Sequence, residues 1–179
     1  MATAEGDWKG AILCGYFTGL RLRDVGELRW ECVDFEAGVV RVKTRKTGAV
    51  LSLPLHLELA EWLRSHRLGI GKASIFPTLA GKGTGGRHGL SGRFTAIMET
   101  AGVRGKVLRG ADGKGRQTHS LSFHSLRHSF VSALANAGVS QELRRKLSGH
   151  ADERSHARYT HHEMETLRGA IGKLPGLAG

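Results

Sequence analysis

Acidic residues are scarce in this chain, with 16 aspartates and glutamates against 27 lysines and arginines in 179 residues. Two-metal nucleases need a cluster of carboxylate ligands, and no Asp/Glu-x-Lys or paired-carboxylate pattern supplies one. Cysteine is scarcer still. Cys14 falls in an apolar helical stretch and Cys32 in an expected strand, neither at metal-ligand spacing, so two reduced, buried thiols in a cytosolic protein are expected. No apolar run approaches membrane-spanning length, and the start lacks a signal peptide's charged and apolar regions. A soluble, cytoplasmic protein is the expectation. The glycine-rich stretch from Gly81 to Gly92 lacks the P-loop spacing of four residues between its first glycine and Gly-Lys-Ser/Thr.

What is abundant is positive charge. The formal net charge is +11 and the pI about 10.4, which points to a polyanionic partner. The basic residues run along the whole chain, so a broad contact surface is expected. Nucleic acid is the partner this composition favours over a ribosomal role or a merely solvated surface.

Periodicity divides the chain into one mainly helical domain, 1–179, with a small sheet. Trp8 to Phe17 reads as a helix with Trp8, Ile12 and Tyr16 on one face, ended by Thr18-Gly19. Leu22 to Trp30 resumes a helical pattern, which places Arg21 at a junction of two helices. Three short strands follow, at Cys32–Phe35, Val39–Val42 and Val50–Leu53, forming a small antiparallel sheet. Leu55 to Leu68 returns to helix. A basic, mobile loop is expected from Gly81 to Gly92, then a helix from Ser91 to Ala101. Gly102 to Ser122 reads as a long loop or marginal hairpin, ordered on contact with phosphates. Helices are expected at Phe123–Ala137, Ser140–Ser148, around Ser155–Tyr159 and at Glu163–Lys173. Thr160 and Glu163 make a capping-box pattern for the last of these.

The chemistry concentrates in the last third. His124 and Arg127 lie roughly 60° apart on one helix, and Arg127 falls inside the edge of the stripe Phe123, Leu126, Phe130 and Leu134. A buried guanidinium needs an anion, either an internal carboxylate or a bound one. Gly149 would end a helix and leave His150 in a constrained turn, where a cap or surface role is equally open. Tyr159 alone would read as packing. Two arginines, two histidines and one tyrosine nevertheless form a set able to cut a phosphodiester without metal.

In order and spacing, the chain resembles the tyrosine recombinases, or phage integrase family. The resemblance is carried by Thr18-Gly19-Leu20-Arg21 with Asp24, Lys46-Thr47-Gly48 between two strands, His124-x-x-Arg127, Leu147-Ser148-Gly149-His150 and Tyr159-Thr160-His161. It covers Trp8 to Ile171. It implies an α+β, mainly helical catalytic-domain fold with a three-stranded antiparallel sheet. It also implies site-specific DNA cleavage and rejoining with no cofactor.

By that resemblance Tyr159 is the nucleophile, joined to the 3′-phosphate of a cut strand. Arg21 and Arg127 grip the non-bridging oxygens, and Lys46 protonates the departing 5′-oxygen. His124 and His150 hydrogen-bond the phosphate and help move the tyrosine proton, and Asp24 orients Arg21. Lys43, Arg45, Arg87, Lys114 and Arg116 are expected to contact the DNA backbone. Where relatives have threonines or serines before the tyrosine, this chain has Ser155 followed by His156.

The resemblance further implies double-stranded DNA as partner and a homo-oligomer, a tetramer on DNA. Met164, Leu167, Ile171 and Leu174 form a stripe that would pack either on the chain's own core or on a neighbouring subunit. Relatives carry a separate helical core-binding domain ahead of this one. Its absence here reads as a truncated or natural minimal form with weakened DNA affinity. His156, His161 and His162 match no standard zinc spacing, and no metal is expected. Competing readings are a type IB topoisomerase that relaxes DNA, and a catalytically silent DNA-binding module of the same fold.

Overall fold

A computed structural model describes residues 3–45, 48, 50–86, 88–109, 118–149 and 161–177. The fold is organised around its first helix, α1 (Gly6–Thr18). The sequence predicts a helix with Trp8, Ile12 and Tyr16 on one face and Leu13 and Phe17 beside them. Trp8, Leu13, Tyr16 and Phe17 are buried and Ile12 is half-buried, while Ala11 and Cys14 are buried too, because α1 is enclosed on several sides. It packs against α2 (Leu22–Gly26), α3 (Leu57–Ser65) and α5 (His124–Asn136). A helix apolar all round belongs in the interior.

The expected helix from Leu22 to Trp30 stops at Gly26. Trp30 N–H instead donates to Ala73 C=O at 3.0 Å, and a bridge joins Arg29 to Ser74. Tertiary pairing thereby turns Leu28 and Trp30 into the core, and Trp30–Cys32 forms a single 3-10 turn. Cys14 is buried as expected, whereas Cys32 is only half-buried.

The sheet follows the alternation of its sequence. Strands β1 (Val33–Asp34), β2 (Val39–Lys43) and β3 (Val50–Pro54) pair antiparallel in that order. Val40 opposes Leu53 and Val42 opposes Leu51, all facing the core, while Arg41 and Lys43 point to solvent. The first turn is fixed by Asp34, whose Oδ1 accepts Ala37 N–H at 2.8 Å and whose Oδ2 pairs with Arg41 at 2.9 Å.

Beyond the sheet, α4 (Leu90–Thr100) lies close to its predicted limits. The Gly81–Gly92 stretch is tied down where it is described: Leu90 N–H reaches Gly83 C=O at 3.0 Å and Ser91 N–H reaches Thr84 C=O at 3.1 Å. The marginal hairpin is present as β4 (Val107–Arg109) paired with β5 (Thr118–His119). Helices α5, α6 (Gln141–Ser148) and α7 (His161–Ile171) complete the chain. Of the expected stripe, Leu167, Ile171 and Leu174 are buried in this chain's own core beside Ala170, whereas Met164 is half-buried. Among the described residues no helix is long and apolar enough to cross a membrane.

Candidate active site

The corner after α1 brings Arg21 to the surface. Gly19 takes a left-handed conformation at φ 64°, which stops the helix. Thr18, itself buried, donates from its hydroxyl to Cys14 C=O and accepts Leu20 N–H at 3.3 Å. Arg21 then caps α2 with an extended backbone, and its side chain stays half-exposed. This is the junction predicted from Thr18-Gly19.

Arg127 lies beneath that corner and is only 4% exposed. Its Nη1 donates to Gly19 C=O at 2.9 Å, and its Nη2 donates to Ser148 C=O. The two carbonyls are at the C-terminal ends of α1 and α6, where the helix dipoles place partial negative charge. The sequence leaves two partners open for this cation, an internal carboxylate or a bound anion. Two of its hydrogen bonds go to main-chain oxygens at two helix ends. A single guanidinium thus clamps the segment of Arg21 to the segment that leads into His150.

Electrostatics place the neighbours. Burial lowers the Arg127 pKa to about 10, with the charge of Arg21 pushing the same way and that of Asp24 opposing. The group remains cationic at neutral pH. Arg21 and Asp24 are thus the charged side chains whose fields act on Arg127.

Asp24 is 6% exposed, and its Oδ1 accepts Arg45 N–H at 3.0 Å. The expected role was to orient Arg21. Among the described residues it makes no ion pair with Arg21. It anchors the β2–β3 turn, which is closed by Gly48 N–H on Thr44 C=O at 2.9 Å and is the turn that contains Lys46 in sequence. Lys43 and Arg45 are exposed on that hairpin.

His124 is the first residue of α5, exposed and three positions before Arg127. Its ring meets that of His128 edge-on, centroids 4.9 Å apart. His128 went unnoticed in the sequence, although its i,i+4 spacing from His124 signals such a contact. Ser148 was also missed as a participant. Its hydroxyl donates to Arg144 C=O at 2.7 Å while its carbonyl receives Arg127. Lys46, Arg87, Lys114, Arg116, His150 and Tyr159 lie outside the described residues, as does the expected piece around Ser155–Tyr159. Among the described residues no three His, Cys, Asp or Glu side chains converge on a cation position.

The chain matches the model of the phage integrase family over residues 3–166. The tyrosine recombinase XerD of Ralstonia nicotianae is 31% identical over 168 residues, covering 86% of this chain and 47% of that protein. The chain therefore spans about half the length of the curated relatives it matches. The integrase of mycobacterium phage Brujita shares the fold at a TM-score of 0.67 and 24% identity, over 96% of this chain and 53% of that one. A lambda integrase tetramer bound to a Holliday junction gives 0.53 at 22% identity, over 88% of this chain and 45% of that one.

Proposed function

The chain belongs to the phage integrase family, and on that premise we propose that 1–179 is a catalytic domain that cuts and rejoins DNA strands through Tyr159. The observation that carries the reading is the Arg127 clamp. It joins α5 to the Thr18–Arg21 corner and to the end of α6, three regions separate in sequence, around one cationic pole. A cationic pole beneath a half-exposed arginine is suited to a scissile phosphate.

In the proposed reaction, the Tyr159 oxygen attacks phosphorus and the P–O5′ bond breaks, leaving the 3′-phosphate on the tyrosine. Arg21 holds a non-bridging oxygen, with Arg127 supporting it from below. Each preorganised donor of this kind contributes about 3 kcal/mol as charge accumulates on the pentacoordinate phosphorus. Arginine's planar fork suits that task better than lysine's point charge. The tyrosine's ordinary pKa is about 10, so its proton must pass to a nearby acceptor, the role given to His124 and His150. Lys46 protonates the leaving 5′-oxygen, and Asp24 supports it by holding the turn. A 5′-hydroxyl from another strand then reverses the step, so no ATP is consumed. No metal is needed in this scheme.

Double-stranded DNA is the proposed substrate, in the cytoplasm, with Lys43, Arg45, Arg87, Lys114 and Arg116 against its backbone. We place assembly on DNA as a homo-oligomer, in line with the lambda integrase tetramer on a Holliday junction. Because Leu167, Ile171 and Leu174 are buried in their own chain, contact with a neighbour through α7 would use its exposed side, Glu165, Arg168 and Gly169.

The test is trapping on a nicked suicide duplex followed by peptide mapping. A covalent adduct on Tyr159, lost in Tyr159→Phe with binding retained, is the expected result. An adduct that survives Tyr159→Phe would refute the nucleophile. Binding should fall steeply with salt, as expected for contact dominated by phosphates. Relaxation of supercoiled plasmid without joining of two sites would turn the reading toward a topoisomerase. Binding with no adduct would turn it toward a silent module.

A further inference from the structure

His124 and His128 stand one turn apart on the same face of α5, and both are exposed. Only His124 has a place in the proposed reaction. Histidines at i and i+4 on a helix are spaced to hold a transition-metal ion between them, because their side chains leave the helix side by side. Here the two rings already meet, with centroids 4.9 Å apart and planes at 89°.

A shared ion would impose much the same separation. Imidazole nitrogen lies about 2.0–2.1 Å from zinc, which puts the ring centre roughly 3.2 Å from the ion. Two such rings, at the angles of tetrahedral or square-planar coordination, have centres about 4.5–5.2 Å apart. The observed spacing falls inside that range, so rotation of the side chains is enough to aim two nitrogens at one point.

The backbone beneath the pair is fixed on both sides. Ser125 Oγ accepts Ser122 N–H at 3.1 Å and Ser125 N–H donates to Ser122 C=O at 2.9 Å, closing the entry to α5. Arg127, between the two histidines in sequence, is held by the carbonyls of Gly19 and Ser148. Ligands on fixed supports lose little freedom on binding. The donor set also selects the ion. Two imidazoles suit zinc, nickel and copper, whereas magnesium and calcium call for oxygen ligands. Among the described residues no third His, Cys, Asp or Glu joins the pair.

We propose that His124 and His128 form a two-imidazole site for a divalent transition-metal ion such as zinc, and that filling it inhibits strand cleavage. Water completes the coordination. Binding occupies a nitrogen lone pair of His124, which can then accept no proton there, and sets an ion with its waters over the first turn of α5. The bonds formed run from nitrogen to metal, and no electron is transferred. The inhibition rests on the reading of His124 as a site residue; the metal site itself does not.

The experiment uses the full chain. Zn²⁺ alone is titrated calorimetrically into the wild type, His128→Phe and His128→Gln, and trapping on the nicked duplex is timed with and without Zn²⁺. Phenylalanine keeps a ring against His124 and glutamine keeps a polar side chain, but neither offers an imidazole nitrogen. Each variant should bind Zn²⁺ about tenfold or more weakly, since one arm of a two-point chelate is gone. Without metal both should trap at close to the wild-type rate. Saturating Zn²⁺ should slow wild-type trapping about tenfold or more, a chelator should restore it, and the variants should need about tenfold more Zn²⁺ for the same slowing. Mg²⁺ at the same concentration should leave the rate unchanged. Paramagnetic Ni²⁺ should broaden amide signals centred on 124–128 in the wild type.

Equal slowing by Zn²⁺ in the wild type and both variants would overturn the proposal. So would broadening centred away from α5, Zn²⁺ held by the pair with no loss of trapping rate, or slowing by Mg²⁺ that equals that by Zn²⁺. If the wild type forms no adduct even without metal, the nucleophile is refuted, and calorimetry with the Ni²⁺ broadening still decides whether the two histidines bind the ion.

Discussion

The corner after α1 and the corner after α6 end alike but rest on different foundations. Gly19 at φ 64° and Gly149 at φ 67° are both left-handed, and each stands one or two residues before a proposed site residue, Arg21 or His150. Each corner also gives a carbonyl to Arg127. A side chain begun on Gly19 would meet Phe130 Cδ1 at 2.7 Å, and that ring is fully buried. One begun on Gly149 would meet Leu51 Cδ1 at 2.9 Å, the movable end of a side chain on β3. The first corner is set in close-packed core, whereas the second rests on something that can yield. A cluster assembled from distant segments can thus have a rigid member and an adjustable one, joined by a single cation.

The sharpest way to break that comparison is to remove the cation. Arg127→Ala leaves two helix-end carbonyls without their donor and takes the charge from under Arg21. Hydrogen bonds to a charged group are worth about 1.5–3 kcal/mol each, partly offset by relief of the buried charge, so a loss of about 3 kcal/mol is expected in urea unfolding. The trapping rate should fall by about 10²–10³. Arg127→Lys keeps the charge but cannot reach both oxygens, and should recover part of the stability and little of the rate. Unchanged unfolding in Arg127→Ala would show that the corners do not depend on this brace.

Why the sequence discloses the corners but not the brace follows from the physics of each. Thr18-Gly19 and Ser148-Gly149 are local signals, since a left-handed helix end favours glycine wherever it occurs. The strands were equally legible, because Val40, Val42, Leu51 and Leu53 alternate with exposed or half-exposed residues. The stripe on α5 shows that Arg127 points inward, yet nothing in its periodicity names a carbonyl 108 positions earlier. The same holds for Asp24, whose partner, Arg45 N–H, belongs to a hairpin 21 residues on. Leu22 to Trp30 misleads in the opposite sense. Its helical spacing is real, but Trp30 gains more by pairing with Ala73 and entering the core.

Substituting the two glycines sharpens the contrast between the corners. Gly19→Ala adds left-handed strain of about 1–2 kcal/mol to overpacking against a buried ring of about 1–3 kcal/mol. A total loss near 2–4 kcal/mol is expected, readable as a lower urea midpoint at unchanged slope. Gly149→Ala carries the same backbone strain, but Leu51 can turn aside, so about 1–2 kcal/mol is expected. Equal losses would erase the distinction, and a larger loss at Gly149 would reverse it.

The smallest effect expected is at Asp24, and it separates two roles that geometry gives this carboxylate. Its oxygen holds Arg45 N–H, and its charge favours the protonated form of Arg127 against burial and Arg21. Asp24→Asn keeps an acceptor for the hairpin and discards the charge, whereas Asp24→Ala discards both. If Asp24 chiefly anchors the turn that contains Lys46, Asp24→Asn should cost under about 1 kcal/mol, in keeping with one retained hydrogen bond. Its trapping rate should then lie within about tenfold of wild type, while Asp24→Ala falls further. If the charge matters more than the anchor, the two variants should lose activity equally and bind duplex with equal weakness. The hairpin and the segment after the arginine corner meet at this carboxylate. Parity between the variants would therefore make the corner, and not the turn, the part that Asp24 serves.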